Sequence, residues 1–141
     1  MPRTRTTLPR ERRKGTHMTL DTLSARKALD GEISEAAFQA LVIDTAHLFG
    51  WRVAHFRPAR TDKGWRTPVE ADGKGFPDLV CLRWGRQIVV ELKSERGVAS
   101  IDQLGWLGDF SRAGIETHVW RPSDWSSGRI EAVLRGEEAE R

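Results

Sequence analysis

The sequence predicts an α/β protein in which helices flank one mixed sheet, with the element order α-β-β-β-α-β. Three observations favour this class: a long segment with apolar residues at helical spacing, several short runs rich in β-branched residues, and a second helical segment before the last run. A chain of 141 residues, of which 38% are hydrophobic, can bury one core of modest size. We therefore expect one domain over residues 34–135. It would follow a basic, disordered extension (1–33) with room for a short helix, and precede a flexible tail (136–141).

The first predicted helix begins after Ser34, which is a good N-cap, and ends at Gly50. Residues 51–56 then predict the first strand, and a long loop punctuated by Gly and Pro leads to Asp78. The apolar residues of the helix recur at helical spacing and are expected to pack on the sheet: Phe38, Leu41, Val42, Thr45, Leu48 and Phe49.

Residues 78–82 and 88–91 predict a hairpin, because both runs are short, apolar and rich in β-branched residues. If the loop is even in length and centred on Trp84-Gly85, Asp78 lies directly opposite Glu91 and shares a face with it. Lys93, two residues further along, points to that face too. An odd loop would move every partner to the other face. A four-residue loop would also suit Trp84 better than a turn position with positive φ.

The remaining helices and strand are predicted from the residues that cap or interrupt them. Residues 100–113 predict a helix that Gly114 ends, and residues 116–120 predict the last strand. Pro122 interrupts that strand, and residues 129–135 predict a terminal helix.

Two carboxylates on one patch repel each other, so one of them takes up a proton or both bind a cation. Mg²⁺ takes one or two carboxylates and keeps waters for a substrate phosphate. A lysine beside such a metal can orient the attacking water and stabilise developing charge. Asp78, Glu91 and Lys93 therefore indicate a metal-dependent phosphodiesterase centre. The plain alternative is a salt bridge between neighbouring strands, although unpaired charges within apolar strands are costly.

The run Gly-Lys-Gly-Phe-Pro-Asp-Leu-Val (73–80), followed by Val-Val-Glu-Leu-Lys (89–93), resembles the PD-(D/E)xK nuclease superfamily. Within it, the chain is most similar to the VRR-NUC (virus-type replication-repair nuclease) branch, over about residues 34–134. The resemblance implies a restriction-endonuclease-like core and a Mg²⁺- or Mn²⁺-dependent endonuclease. It also implies that Asp78, Glu91 and the Leu92 backbone carbonyl bind the metal, while Lys93 positions the hydrolytic water.

Two further site residues are implied by the same resemblance. Glu35 matches an acidic residue beside the metal, acting directly or through water, and Gln103 matches a glutamine that faces the active site. Each has a structural alternative. An acidic residue in the first turn suits the helix dipole, and Ser100 with Gln103 forms a capping box.

The resemblance also implies a substrate and a partner. Small members of this branch are similar to homodimeric nucleases that cut branched DNA, including Holliday junctions, in phage or mobile-element replication and repair. Two other functions remain open at this point. One is a nucleic-acid-binding module that has lost its chemistry, and the other is a restriction-type nuclease that reads a duplex sequence, for which a longer specificity segment would be expected.

A basic segment between the first two strands is a candidate DNA-binding surface, because phosphates are attracted to clustered cations. Trp65 within it could stack on an unpaired base. The alternative is an ordinary solvated loop over a core tryptophan. The predicted DNA-binding residues are Arg57, Arg60, Lys63, Arg66 and Lys74.

Charge and cysteine content indicate the cellular compartment to expect. The formal net charge is +3, but residues 1–14 contribute +5 and the rest of the chain −2, so the basic character belongs to the N-terminus. Met18 is a plausible alternative start. One cysteine, Cys81, cannot form an internal disulfide, which favours a reducing cytoplasm. Neither a signal peptide nor an apolar membrane span is expected, and the histidines, including His55, lack zinc-site spacing.

Overall fold

The fold is that of a computed structural model, which describes residues 30–56, 59–62, 64–66 and 69–137. For residues 59–61, 65 and 66 only the backbone is described. The helices are α1 (Glu35–Leu48), α2 (Ile101–Arg112), α3 (Pro122–Ser126) and α4 (Arg129–Arg135). The strands are β1 (Arg52–His55), β2 (Ala59–Thr61), β3 (Gly64–Arg66), β4 (Leu79–Arg83), β5 (Arg86–Leu92) and β6 (Glu116–Trp120).

Four strands form a mixed sheet in the order β1-β4-β5-β6. The first three are antiparallel, and β6 runs parallel to β5 after the crossover through α2. The predicted α/β class, with helices flanking a mixed sheet, is confirmed, as is the order of its main elements. No helix among the residues described here is long and apolar enough to cross a membrane.

The segment predicted as a long loop contains structure of its own. Strands β2 and β3 pair in a separate two-stranded sheet, with Arg60 opposite Trp65. The prediction of a continuous loop was therefore wrong. Arg, Lys, Asp and Gly dominate this segment, so neither a buried run nor a clear apolar alternation signals a strand.

Helix α1 begins and ends as its sequence predicts. Ser34 is the N-cap, and its Oγ accepts a hydrogen bond from the Ala37 N–H at 3.1 Å. Gly50 follows the helix with a φ of 82°, a left-handed conformation that suits glycine. One predicted apolar position does not pack, because Leu48 is 78% exposed. The buried face consists of Phe38, Val42, Thr45 and Ala46.

The main sheet buries its two faces differently. Alternate residues of β4 and β5, such as Leu79 and Val90, join α1 and α4 in the hydrophobic core. The intervening residues of β5, Val89 and Glu91, point to the opposite face and are also buried. Helix α2 packs against β5 and β6, so the carboxylate of Glu91 lies on a covered face that is distinct from the apolar core.

The β4–β5 hairpin has the shorter of the two turns considered. Arg83 pairs with Arg86, so Trp84 and Gly85 alone form the turn, with φ angles of 46° and 76°. Two successive positive φ values are typical of a type I′ turn, whose twist matches that of the strands. Trp84 is 90% exposed at this turn, and the Arg83 guanidinium lies 5.0 Å from its ring.

Candidate metal centre

The register of the hairpin places the two carboxylates opposite each other. Leu79 pairs with Val90, so the next positions outward are Asp78 and Glu91. The predicted even-length register is therefore the one observed. Asp78 lies just before β4, and its Oδ2 accepts a hydrogen bond from the backbone N–H of Leu92 at 2.8 Å. This bond fixes the carboxylate against the end of β5.

Glu91 is 1% exposed, yet only one of its carboxylate oxygens is paired. Oε1 accepts a hydrogen bond from the Gln103 side-chain amide at 2.9 Å and lies 3.4 Å from Lys93 Nζ. Oε2 is buried and, within the described part of the chain, has no hydrogen-bond partner. A buried carboxylate oxygen without a partner is costly, so this site favours either a proton shared with Asp78 or a bound cation.

Burial and mutual repulsion change the acidity of both carboxyl groups. Loss of solvation, followed by the nearby Asp78 charge, raises the pKa of Glu91 to about 8, while Lys93 acts in the opposite direction. Loss of solvation also raises the pKa of Asp78, although the Leu92 N–H and the charges of Lys93 and His55 limit that change. Near neutral pH, the pair retains a proton unless a cation replaces it.

Lys93 is held beside Glu91 by the neighbouring strand. Its backbone N–H donates to the Trp120 carbonyl at 3.0 Å, which continues the β5–β6 pairing past the end of β5. The side chain is 16% exposed. Its ammonium group is therefore partly shielded, but water or a substrate can still reach it.

Gln103 both caps its helix and contacts Glu91. Its Oε1 accepts from the Ser100 N–H at 2.8 Å, and its own N–H donates to Ser100 Oγ at 3.2 Å, which completes the capping box of α2. Because the side-chain oxygen is occupied by the cap, the NH₂ group is directed at Glu91. The helix cap thus orients a hydrogen-bond donor in the site.

The loop that precedes Asp78 is packed against the start of α2. Gly75 has a φ of +80°, and a Cβ there would lie 2.6 Å from atoms of Asp102 and 2.7 Å from Gln103 N. Trp106 Nε1 donates to the carbonyls of Asp72 and Lys74, both at 3.1 Å. These contacts join the element that carries Asp78 to the one that carries Gln103.

Glu35 is not brought into this cluster. It is exposed in the first turn of α1, a helix that packs on the face opposite Glu91. The described residues contain no group of three His, Cys, Asp or Glu side chains that could hold a metal. The position of Glu35 in the first turn fits a favourable interaction with the helix dipole. A role for Glu35 in the site stays a prediction.

The predicted DNA-binding residues are only partly described. Arg57 and Lys63 lie outside the described residues, and Arg60 and Arg66 lie on β2 and β3 without described side chains. Lys74 is 89% exposed on its side chain, and its Nζ lies 3.4 Å from Asp102. The structure therefore places one predicted cation, Lys74, beside the loop that leads to Asp78.

His55 is a neighbour of the site that the sequence did not assign. It ends β1, and the N–H of the next residue, Phe56, donates to the Asp78 carbonyl at 2.9 Å. When protonated, His55 lowers the pKa of Asp78. The signal that could have found it is its place at the end of a strand next to the Asp78 strand, since strand ends meet at one edge of a sheet.

The donor atoms fit a hard divalent cation. Two carboxylates lie opposite each other, and one buried carboxylate oxygen has no partner in the part of the chain that the structure describes. Mg²⁺ and Mn²⁺ prefer oxygen ligands, and Mg²⁺ commonly takes only one or two protein carboxylates, with waters or phosphate oxygens completing its shell. Asp78, Glu91 and the Leu92 carbonyl could supply such a set.

The fold and the site thus define a mixed α/β protein with two opposed carboxylates, Asp78 and the buried Glu91, and an adjacent lysine. Comparison with protein-family models gives no match. Comparison with curated proteins gives no match either. The argument for function therefore depends on the geometry of Asp78, Glu91 and Lys93.

Proposed function

We propose that this protein is a Mg²⁺- or Mn²⁺-dependent DNA endonuclease with a restriction-endonuclease-like core, of the VRR-NUC branch of the PD-(D/E)xK superfamily. One observation carries the proposal: Glu91 is buried between Asp78, Gln103 and Lys93, and one of its carboxylate oxygens has no hydrogen-bond partner among the residues that the structure describes. A salt bridge with a purely structural role would not need a second carboxylate opposite it, because the two carboxylates repel each other.

Each residue has a task that follows from its position. Asp78, Glu91 and the Leu92 carbonyl would hold the divalent ion, which supplies a polarised phosphate oxygen and an activated water. Lys93, next to Glu91 and partly open to solvent, would orient the attacking water and stabilise charge on the phosphate. Gln103 would keep Glu91 in its orientation through the 2.9 Å hydrogen bond.

The proposed substrate is DNA, with branched DNA such as a four-way junction as the preferred form. Support comes from Lys74, which is exposed beside the Asp78 loop, and from the basic β2–β3 segment that precedes it. A homodimer with cytoplasmic location is part of the same proposal. One compact domain reaches one strand, and symmetric cleavage of a junction requires two centres related by a two-fold axis.

The test is cleavage of a four-way junction, a flap and plain duplex DNA by wild type and Lys93→Ala, each with Mg²⁺, Mn²⁺ or EDTA. We expect metal-dependent cleavage by wild type and a loss of about 10²-fold or more in Lys93→Ala, the usual scale for a group acting on a proton or charge in the transition state. DNA affinity should change little, because the wider basic surface remains. Undiminished cutting by the variant would overturn the role of Lys93.

The same experiment separates the other functions. Binding of branched DNA without any metal-dependent cleavage would indicate a binding module. Cleavage of plain duplex at one defined sequence would indicate a restriction-type enzyme. Glu35→Gln in the same assay tests the remaining predicted site residue, and its exposure leads us to expect less effect than from Glu91→Gln.

A further inference from the structure

A tight turn follows β5 and lies beside the Lys93 side chain. The Gly97 N–H donates to the Ser94 carbonyl at 3.2 Å and closes this turn, which we call the 94–97 turn. A Cβ on Gly97 would lie 3.7 Å from Lys93 Cδ, so the alkyl chain of the lysine runs next to the turn. At its other end, Lys93 Nζ lies 3.4 Å from Glu91 Oε1. The place of the ammonium group therefore depends on the place of the turn.

The guanidinium group of Arg121 holds both ends of the 94–97 turn. Arg121 comes directly after β6, and its Nη1 donates to the Ser94 carbonyl at 2.7 Å and to the Gly97 carbonyl at 2.6 Å. The Glu95 carbonyl lies 3.5 Å from the same nitrogen. Hydrogen bonds from a charged donor are stronger than those between neutral groups, and these are partly buried. One cation thus gathers the carbonyls of the turn.

A second contact joins the same turn to the start of α3. Glu95 Oε2 accepts a hydrogen bond from the Ser123 backbone N–H at 3.0 Å. The residues joined by these contacts are 24 to 28 positions apart in the sequence. The turn is therefore fixed by a distant part of the chain as well as by its own residues, and removing Arg121 would leave it with fewer constraints.

We propose that Arg121 is a positioning residue for Lys93, which it keeps beside the carboxylate pair by holding the 94–97 turn. The inference rests on the proposed nuclease function and deepens it, because it assigns a task to a residue outside the metal cluster. Two consecutive residues would then support the lysine. Trp120 accepts its backbone N–H, and Arg121 fixes the turn beside its side chain. Such support matters because a lysine stem is flexible, and a displacement of about 1 Å can cost about 10²-fold in rate.

A competing explanation is that Arg121 only stabilises the fold. Arg83 provides a matched control, since its guanidinium group also donates to three backbone carbonyls, but at the hairpin tip far from the carboxylates. Those carbonyls belong to Phe49, Leu134 and Arg135. Arg83→Ala therefore removes a comparable set of hydrogen bonds and leaves the 94–97 turn intact.

The experiment measures single-turnover cleavage by the full chain with Mg²⁺, on whichever of the four-way junction, flap and duplex wild type cuts fastest. The variants are Arg121→Ala, Arg121→Lys, Arg83→Ala, Lys93→Ala and the double variant of Arg121→Ala with Lys93→Ala. DNA affinity in EDTA and urea unfolding are measured for each. We expect Arg121→Ala to lower the rate constant about 10- to 100-fold with little change in affinity. Arg121→Lys, which keeps a charged donor, should recover part of the rate, and Arg83→Ala should keep the wild-type rate.

The double variant tests whether Arg121 acts through Lys93. Two residues that act as a unit show strongly non-additive effects. Adding Arg121→Ala to Lys93→Ala should therefore lower the rate less than twofold, whereas a general loss of stability would lower it in both backgrounds.

The contrary results are equally specific. A wild-type rate in folded Arg121→Ala overturns the inference, as do equal rate losses in Arg121→Ala and Arg83→Ala at equal stability. If Arg121→Ala does not fold, Arg121→Lys is compared with Arg83→Ala in the same way. Absence of metal-dependent cleavage by wild type on every DNA is a different outcome. It overturns the proposed function, and the role of Arg121 falls with it.

Discussion

Gln103 and Glu91 are joined by a hydrogen bond whose direction is set elsewhere in the chain. The Gln103 amide donates to Glu91 Oε1 at 2.9 Å, while its oxygen accepts from the Ser100 backbone at 2.8 Å. An amide has one donor end and one acceptor end. Because the cap takes the acceptor end, the donor end faces the carboxylate, and the helix start and the site share one side chain.

Replacing Gln103 should therefore affect stability and metal binding together. We expect Gln103→Ala to lower the free energy of unfolding by about 1 kcal/mol, as for other lost caps, and to weaken Mn²⁺ binding about tenfold. Urea unfolding and calorimetric titration measure the two effects. Ser100→Ala is the control, since it removes the Oγ cap and leaves the amide of Gln103 on Glu91. Equal affinities in the two variants would show that Gln103 serves only as a cap.

The raised pKa of Glu91 predicts how stability depends on pH without metal. The folded state keeps a proton up to about pH 8, whereas an unfolded glutamate loses it near its ordinary value of 4.5. The folded state thus binds more protons between these values, and stability falls as pH rises through that window. One proton limits the slope to about 1.4 kcal/mol per pH unit.

This dependence can be measured by thermal unfolding in EDTA between pH 5 and pH 8.5. Glu91→Gln should flatten the curve, because an amide does not titrate and still accepts the Gln103 hydrogen bond. Mg²⁺ should stabilise wild type more at the upper end of the range, since the ion competes with the proton. A wild-type curve that rises with pH in EDTA would contradict the assignment.

Gly75 should be sensitive to any side chain. Gly75→Ala places a Cβ 2.6 Å from Asp102, so the loop or the start of α2 must shift. We expect a loss of about 2 kcal/mol in unfolding free energy, from the left-handed backbone and the contact together, and a clear loss of cleavage. Gly114→Ala is closely matched, because its φ is +82° with no atom within 4 Å of the added Cβ. Gly114→Ala should lower the free energy of unfolding by less than Gly75→Ala does, and it should retain cleavage.

Lys74 provides a test of the DNA-binding surface. Its ion pair with Asp102 is exposed and so contributes little to stability. Lys74→Gln should weaken DNA binding for every sequence and reduce the slope of log affinity against log salt by about 1. Fluorescence anisotropy over a salt series measures the slope. Arg135→Gln, on α4 at the opposite face of the sheet, should leave it unchanged.

Much of the fold was accessible from the sequence because its local signals agree. Ser34 and Gly50 bound α1, the capping box starts α2, and β-branched runs form β4 and β5. The β2–β3 hairpin was missed because its residues are polar, and its pairing follows from backbone geometry instead of a buried pattern. Leu48 was misassigned because helical spacing alone does not show where the buried face ends.

The sequence predicts the site as far as strand pairing determines it. Alternation in β5 and the hairpin register were enough to bring together Asp78 and Glu91, and Lys93 follows on the same face. The sequence did not show that Gln103 both caps α2 and contacts Glu91. The two contacts appeared as alternatives, whereas in the structure the two ends of one side-chain amide make them both. The same holds for His55, because its proximity to Asp78 depends on how β1 lies beside β4.

The turn at Trp84-Gly85 lies roughly 20 Å from the carboxylate pair, given about 3.3 Å per strand residue. It nevertheless decides whether that pair exists, because it consists of two residues and no more. An insertion there that shifted the register by one residue would leave Asp78, Glu91 and Lys93 unchanged in sequence and still turn Glu91 toward the apolar core face. We therefore expect the proposed activity to be sensitive to the length of a turn that lies far from the carboxylates.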